Sequence, residues 1–332
     1  MRRRKSLLGV IGSRWTVRVS LVVVILYAIV ALLADVLASD LPILLRYDGK
    51  TFVLPCVFKA EKLRELDNIA LFGLMVKGED WGLFPPVPYG PLQSKSAGEI
   101  EALGPPSGRH IMGTDDRGRD VLARVIHGTR ISLLVGFVAV VIYVLIGIFF
   151  GAVAGYYGGW LDSTISRVIE TMMSFPTFFF ILAIQGLLQH SSILQIMIVI
   201  GLTRWTDVAR LVRGEVLKVK NENYILAARS MGLTNARILL RHVIPNAMGP
   251  VMVAASLGIA GTVLIEAALS FLGFGTPPPT PSWGELLTQA YEHPQCWWLM
   301  AIPGFALFTT VLAYNLIGEA IRDAVDPRMM YG

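Results

Sequence analysis

The sequence predicts an all-α, polytopic membrane protein with six transmembrane helices. Its 332 residues are 54% hydrophobic and only 16% charged, with a mean hydropathy of +0.59. That composition fits several spans better than one soluble core. The apolar residues gather in runs of membrane-spanning length. Charge is segregated around them: Arg2, Arg3, Arg4, Lys5, Arg14 and Arg18 precede the first run with no acid among them. Residues 204–248, the long polar break in the C-terminal half, carry eight Lys or Arg against three acids. Both stretches should therefore face the cytoplasm. The net charge of +5 is topological charge and gives no support to a nucleic-acid partner. Two cysteines, Cys56 and Cys296, supply neither a disulfide framework nor a metal site.

Residues 1–18 read as a basic cytoplasmic N-terminus. Residues 19–34 are nearly continuous apolar sequence, longer than a usual signal-peptide core and without a clean cleavage pattern, so 19–38 is a retained first span. Residues 39–130 form an extracytoplasmic segment whose acids and bases balance at twelve each. Within it, Asp48 and Gly49 predict a hairpin turn in 46–55, and 60–74 carries a helical pattern. Covering a pore mouth, contacting a delivery protein and passive insertion are all compatible with this segment. In HIMGTDDRGRDVLARVIHGTR (110–130), Gly113 and Gly118 permit turns, and Asp120 is placed to cap a helix over 121–127. Gly113, Thr114, Asp115, Gly118, Arg119 and Asp120 would then form an external collar before the second span. Capping and salt-bridging alone would account for the same residues. His110 and His127 have no neighbours at metal-ligand spacing.

Residues 131–320 are the membrane core. The second span, 131–154, is followed by a cytoplasmic connection at 156–171, and Gly147, Gly151 and Gly155 are spaced for close helix packing. The third span is 172–188, with Pro176 near its start. The fourth, 193–202, extends at most to Trp205 or runs on into the polar residues. In the 204–248 loop, 224–231 contains good helix formers, Gly232 breaks them, and Pro245 closes a second short helical pattern. A charged, helical loop suggests a surface that touches another protein. The fifth span, 250–274, contains Glu266, costly in a bilayer unless it faces a cavity or a partner. For Glu266 and Ser270, lining a route and packing against a neighbouring helix both fit. GFGTPPPTPSW at 273–283 excludes regular helix. The sixth span, 297–317, has Trp297 and Trp298 as interface anchors and Pro303 as a kink, and 321–332 is a cytoplasmic tail.

No phosphate-binding loop, HExxH, dinucleotide fingerprint or GxSxG occurs. The chain is therefore expected to be no enzyme, with no catalytic residue, metal or cofactor of its own. A nucleotide-driven process would need its nucleotide site on another chain. An ion-coupled transporter would rest on Glu266 alone, and a non-transporting scaffold is the other rival.

YILAARSMGLTNARILLRHVIPN at 224–246 resembles the EAA loop of ATP-binding-cassette importer permeases. Ala227 and Ala228 match its small pair, Gly232 its glycine, and Ile244–Pro245 its ending. Leu226 stands where the acid that names the pattern belongs, with Glu222 upstream. GTDDRGRDVLARVIHGTRISLLVG at 113–136, Phe175–Pro176, and EAALSFLGFG with PSWG in 266–284 are similar to the dipeptide, oligopeptide and nickel branch, second permease subunit. The resemblance implies a type I permease fold in the bacterial inner membrane, with both termini cytoplasmic. It also implies import of peptides, or of nickel or another small peptide-like solute. The implied partners are a homologous permease, two ATPase subunits holding ATP and Mg, an extracytoplasmic solute-binding protein, and membrane lipid. In that assembly Glu222, Tyr224, Ala227, Ala228, Arg229, Gly232, Arg237, Arg241 and Pro245 would form the ATPase-coupling surface. The two alanines would allow close approach and the arginines would pair with acids.

Overall fold

A computed structural model describes residues 14–47, 49–58, 63, 71, 81–94, 102–188 and 192–325. The basic cluster Arg2 to Lys5, most of the 60–74 pattern, the turn at 189–191 and the end of the tail lie outside these residues. The described parts of Met1–Val24, Val135–Ile265 and Thr309–Gly332 form one compact unit, and those of Ile25–Leu134 and Glu266–Phe308 form a second.

Helices dominate. In chain order they are α1 (Trp15–Leu32), α2 (Ala34–Leu37), α3 (Pro55–Phe58), α4 (Val121–Tyr157), α5 (Gly159–Met173), α6 (Thr177–Leu187) and α7 (Ile193–Val219). There follow α8 (Asn223–Ser230), α9 (Asn235–Ile238), a π-helical turn (Leu239–Val243), α10 (Ile244–Phe271), α11 (Trp283–Glu292) and α12 (Trp297–Val325). Three short strands, β1 (Leu44–Tyr47), β2 (Lys50–Val53) and β3 (Trp81–Leu83), form one sheet of order β2-β1-β3. Tyr47 pairs with Lys50, which closes the hairpin expected in 46–55, with Gly49 at φ +69° and Asp48 outside the described residues. The sheet covers a small core of Leu41, Leu45, Cys56, Leu63 and Leu71.

Among the described residues four helices are long and apolar enough to cross a membrane: α1, α4, the run Asn235–Phe271, and α12. The bent pair α5–α6 would make a fifth. The expected six is not reached by length and composition, for two reasons. The predicted third span is α6 alone, about 16 Å long against a hydrocarbon core of about 30 Å, and the chain turns 82° between α5 and α6. Pro176 precedes α6 rather than lying inside it. The predicted fourth span continues as helix to Val219, so 204–219 is not loop. Arg204, Asp207 and Arg210 interrupt its apolar character.

Three other expectations are corrected. Residues 121–127 are not a separate collar helix but the first turns of α4, which runs unbroken for 37 residues. Pro245 does not close a helix. Ile244 N–H reaches back five residues to Leu239 O, and this wider turn absorbs the residue that lacks a donor, so α10 continues. Trp298 is not a surface anchor: it is buried and its indole donates to Thr114 O at 3.1 Å. Trp297 is exposed.

The first unit is held together by the predicted glycine spacing. A Cβ at Gly147 would stand 2.9 Å from Trp205 O, one at Gly151 would overlap Ala209 O, and one at Gly155 would stand 2.9 Å from Arg213 O. The backbones of α4 and α7 thus meet directly. Around this seam pack Val208, Val212 and Val216 from α7, Ile225 and Ala228 from α8, and Val243 and Val251. Arg213 clamps Asp162 of α5 with two hydrogen bonds of 2.5 and 2.8 Å. The shared seam separates two alanine substitutions. Gly151→Ala should lower the thermal midpoint of the detergent-solubilised protein by the equivalent of about 1–3 kcal/mol. Gly214→Ala, whose Cβ meets nothing within 4 Å, should be neutral or raise it by about 0.5–1 kcal/mol. Equal midpoints for the two would contradict the seam.

Candidate functional site

The segment between α7 and α10 is a helix, a glycine turn and a second helix. Asn221 and Glu222 end the descent of α7, and Glu222 takes the extended N-cap conformation of α8 without a side-chain cap. At the far end Gly232 has φ +78°, Gly232 N–H donates to Arg229 O at 3.0 Å, and Leu233 N–H to Ala228 O at 3.3 Å. That pair of bonds is a Schellman ending, which demands a left-handed residue and so favours glycine. Asn235 then starts the next helix and accepts from Tyr156 Oη at 3.0 Å. Lys220 Nζ donates to Gly155 O at 2.7 Å. Both ends of the segment are thereby tied to the end of α4.

Burial divides the segment cleanly. Ile225, Ala228, Ile238 and Val243 face the chain's own core. Glu222, Tyr224, Ala227, Arg229, Gly232, Arg237, Arg241 and Pro245 are exposed. Ala228 is therefore turned inward, and of the small pair only Ala227 is presented. The exposed face is also more apolar than its charge suggested: Tyr224, Leu226, Met231 and Leu240 are 46–74% exposed. Partial burial, with the Glu222 carboxylate adding to it, pushes the Tyr224 phenol above its ordinary value, so it stays protonated and able to donate.

The GTD segment belongs to the second unit, and its Gly113, Thr114, Asp115, Gly118, Arg119 and Asp120 are buried while Arg117 is exposed. Gly113 has φ +73°, and a Cβ there would stand 2.7 Å from Gly104 O. Gly118, also at positive φ, closes the turn that returns to Asp115. Thr114 Oγ1 accepts from Gly104 N–H at 2.8 Å. Asp115 accepts from the backbone N–H groups of Arg117 and Arg119, each at 2.9 Å, and from Arg119 Nε at 2.6 Å. Asp120 caps α4 through Ala123 N–H at 2.8 Å and holds His110 Nδ1 at 2.8 Å. His127 Nε2 meets Ala38 O at 2.8 Å. Both histidines are structural.

Two residues that sequence reasoning passed over complete this network. Arg124, fully buried, donates to Glu285 Oε2 at 2.6 Å and to Pro91 O at 3.0 Å, and lies 3.3 Å from Asp115. Glu285 lies in α11, an element the proline-rich reading of 273–283 did not extend to. The signal was Ser282–Trp–Gly–Glu285, a capping-box spacing, and Ser282 Oγ does accept from Glu285 N–H at 3.1 Å. Glu266 is fully buried in the same unit and ringed by hydroxyls: Ser270 at 2.9 Å, Thr276 at 2.9 Å and Ser132 at 3.3 Å. It ties α10 to the first turns beyond it and to α4. Among the described residues no three His, Cys, Asp or Glu side chains converge as metal ligands, and Cys56 and Cys296 are free, buried thiols.

These features define a multi-pass, all-α membrane protein that presents a structured helical loop. Residues 147–331, more than half the chain, match the family described as "Binding-protein-dependent transport system inner membrane component", and the chain belongs to that family. It is 40% identical over 225 residues to the "Dipeptide transport system permease protein DppC" of Alkalihalophilus pseudofirmus, covering 68% of this chain and 74% of that one. It is 44% identical over 222 residues to the "Oligopeptide transport system permease protein OppC" of Haemophilus influenzae, covering 67% and 71%. Among solved structures, a chain of the inward-facing MetNI methionine ABC transporter superposes with a TM-score of 0.50 at 19% identity, over 62% of this chain and 97% of that one. The last likeness concerns the fold only.

Removing the Arg124 guanidinium would leave the buried Asp115 and the partly buried Glu285 with Arg119 alone of the two cations they share. Arg124→Met should cost about 3–5 kcal/mol of stability, read as a fall in thermal midpoint. Arg117→Met, at a side chain 55% exposed, should change it by less than about 0.5 kcal/mol.

Proposed function

We propose that this chain is one of two permease subunits of an ATP-driven importer for peptides. It would assemble with a homologous permease, two ATP-binding subunits and an extracytoplasmic solute-binding protein. Family membership and the names of the relatives support the cargo and the assembly. The observation that carries the coupling role is the exposed face of α8 and the glycine turn, backed by a core that holds it rigidly.

Where helix ends gather in the first unit supports a reading of six crossings. Arg14 at the start of α1 pairs with Asp323 near the end of α12 at 2.8 Å. Gly155 at the end of α4 meets Lys220 beyond α7, and a Cβ at Gly249 near the start of α10 would touch Val325 at the end of α12. One face would thus hold the start of α1, the end of α12 and the 220–245 segment. For α4 and α7 both to end on that face, α5–α6 must cross between them as one broken span. Gln195 Nε2 at the head of α7 donates to Gln185 Oε1 near the end of α6 at 3.0 Å, as a hairpin on the far side requires. The positive charge of 204–248 and of the N-terminus puts the shared face in the cytoplasm.

In this reading ATP-driven closure of the partner ATPases moves α8, and its packing on α4 and α7 passes that motion to the spans. Access then switches between the two sides by a rigid-body change biased by nucleotide. ATP and Mg sit on the partner, and this chain converts motion into access. Arg229, Arg237 and Arg241 offer charge to acids on the ATPase, while Tyr224, Leu226 and Met231 supply apolar contact where the usual acid is missing.

Gly232 tests the docking directly, because a Cβ at 232 meets nothing of this chain within 4 Å. Gly232→Asn tolerates the left-handed backbone and should keep most peptide uptake in proteoliposomes holding the assembled transporter. Gly232→Trp should remain in the membrane yet lose uptake and substrate-stimulated ATP hydrolysis. Normal uptake and stimulation by Gly232→Trp would sink the docking role.

A further inference from the structure

The groove between α7 and α10 carries charge at a depth where a membrane protein rarely spends it. Arg204 and Asp207 lie one turn apart on α7. The Arg204 guanidinium stands 5.5 Å from the centroid of the Tyr143 ring, and its Nη1 donates to Thr262 Oγ1 at 3.4 Å. Tyr143 sits near the middle of the apolar part of α4, and Thr262 near the middle of α10. Both place Arg204 at mid-membrane depth, where an ionisable side chain marks a ligand path or an internal partner. Among the described residues no acid lies within ion-pair distance of Arg204 and no base within that distance of Asp207.

The wall opposite is cut away for these groups. A Cβ at Gly258 would overlap the Tyr143 hydroxyl, and one at Gly261 would stand 3.3 Å from Arg204 Nη1. Tyr143, Arg204, Asp207 and Gly258 line a cavity of about 180 Å³. Ala254 and Leu257 belong both to it and to a larger cavity of about 610 Å³ that reaches Glu215, Lys218 and Arg322 near the helix ends. Positions 204, 208, 211, 215 and 218 share one stripe of α7 at helical spacing. A charge-lined trough thus runs from mid-depth to the face that carries the 220–245 segment.

We propose that this trough is the chain's wall of the inward half of the transport route, and that Arg204 and Asp207 receive the main-chain termini of a short zwitterionic peptide. Arg204 takes the carboxylate and Asp207 the ammonium. The inference rests on the peptide-import reading and adds a site to it. A guanidinium fork suits a carboxylate. Unpaired charges of both signs, one helical turn and about 5–6 Å apart at Cβ, match a ligand of roughly two residues, ~7 Å when extended. An anion alone would meet Asp207, and a cation alone would meet Arg204. Only a ligand bearing both charges satisfies both groups.

The test uses the complete, nucleotide-free transporter with its partner subunits and no solute-binding protein, carrying Ala254→Cys as a reporter. This chain's two native cysteines are buried, so maleimide labelling of this chain, resolved from its partners on a gel, reads position 254. Dialanine should slow labelling. Dialanine amide, which lacks the carboxylate, and N-acetyl-dialanine, which lacks the ammonium, should each need about tenfold more for the same protection. Arg204→Gln should erase the preference for the free carboxylate, Asp207→Asn the preference for the free amine, and Arg204→Lys should keep part of the former. Equal protection by all three peptides, or preferences unchanged in both variants, would overturn the site. Loss of the homologous permease on co-purification of Arg204→Gln and Asp207→Asn would make these residues subunit contacts and overturn it as well. Uptake of labelled dipeptide by the wild-type assembly, measured in parallel with the binding protein, separates the two levels. Uptake without protection removes the site alone, and absence of uptake removes the import reading with it.

Discussion

Direct backbone contact between α4 and α7 is the constraint on which the first unit depends. Lipid is as apolar as a leucine side chain, so helices in a bilayer gain nothing from hiding apolar surface and must gain from close packing. Gly147, Gly151 and Gly155 let the carbonyls of Trp205, Ala209 and Arg213 approach where any side chain would collide. That contact sets the depth of α7. Depth in turn decides that Arg204 lies beside Tyr143 and that Lys220 reaches the end of α4. The helix–glycine–helix segment inherits its position from this seam, and Ile225 and Ala228 anchor it to the same core.

Buried charge is handled differently in the second unit. Asp115, Arg119, Arg124 and Glu285 neutralise one another in a network with few open bonds, and Glu266 receives three hydroxyls. Such groups cost much when one partner is lost and little while complete. They hold α4, α11 and the segment before them in a single arrangement. The charges at Arg204 and Asp207 lack that closure, and this contrast within one chain is what separates a scaffold from a candidate ligand path.

Much of the architecture was legible in local pattern. The apolar runs located α1, α4, α10 and α12 because twenty-odd consecutive apolar residues have few other stable environments. Asp48–Gly49 located the hairpin, Asp120 the cap of α4, and Gly232 the turn after α8, since each answers to a backbone conformation or an orphan donor a few residues away. Element ends were less legible. Nothing local says that α7 continues through Arg204 to Val219, because its polar residues are supported by Asp162, Tyr143 and Thr262 on other helices. Nor does a proline announce that a π turn ahead of it will let the helix run on.

Composition, charge segregation and turn residues by themselves determined a multi-pass helical protein with a basic, glycine-broken loop. These follow from interactions between near neighbours and from the solvent each stretch can tolerate. Tertiary structure alone decided which face of that loop is free, since Ala227 and Ala228 are adjacent in sequence and differ only in what packs on them. It also decided that Glu266 is enclosed while Arg204 and Asp207 are not. In a span where almost every position is apolar, periodicity carries no contrast, so only the neighbours brought together by folding tell a buried carboxylate from one that faces a cavity.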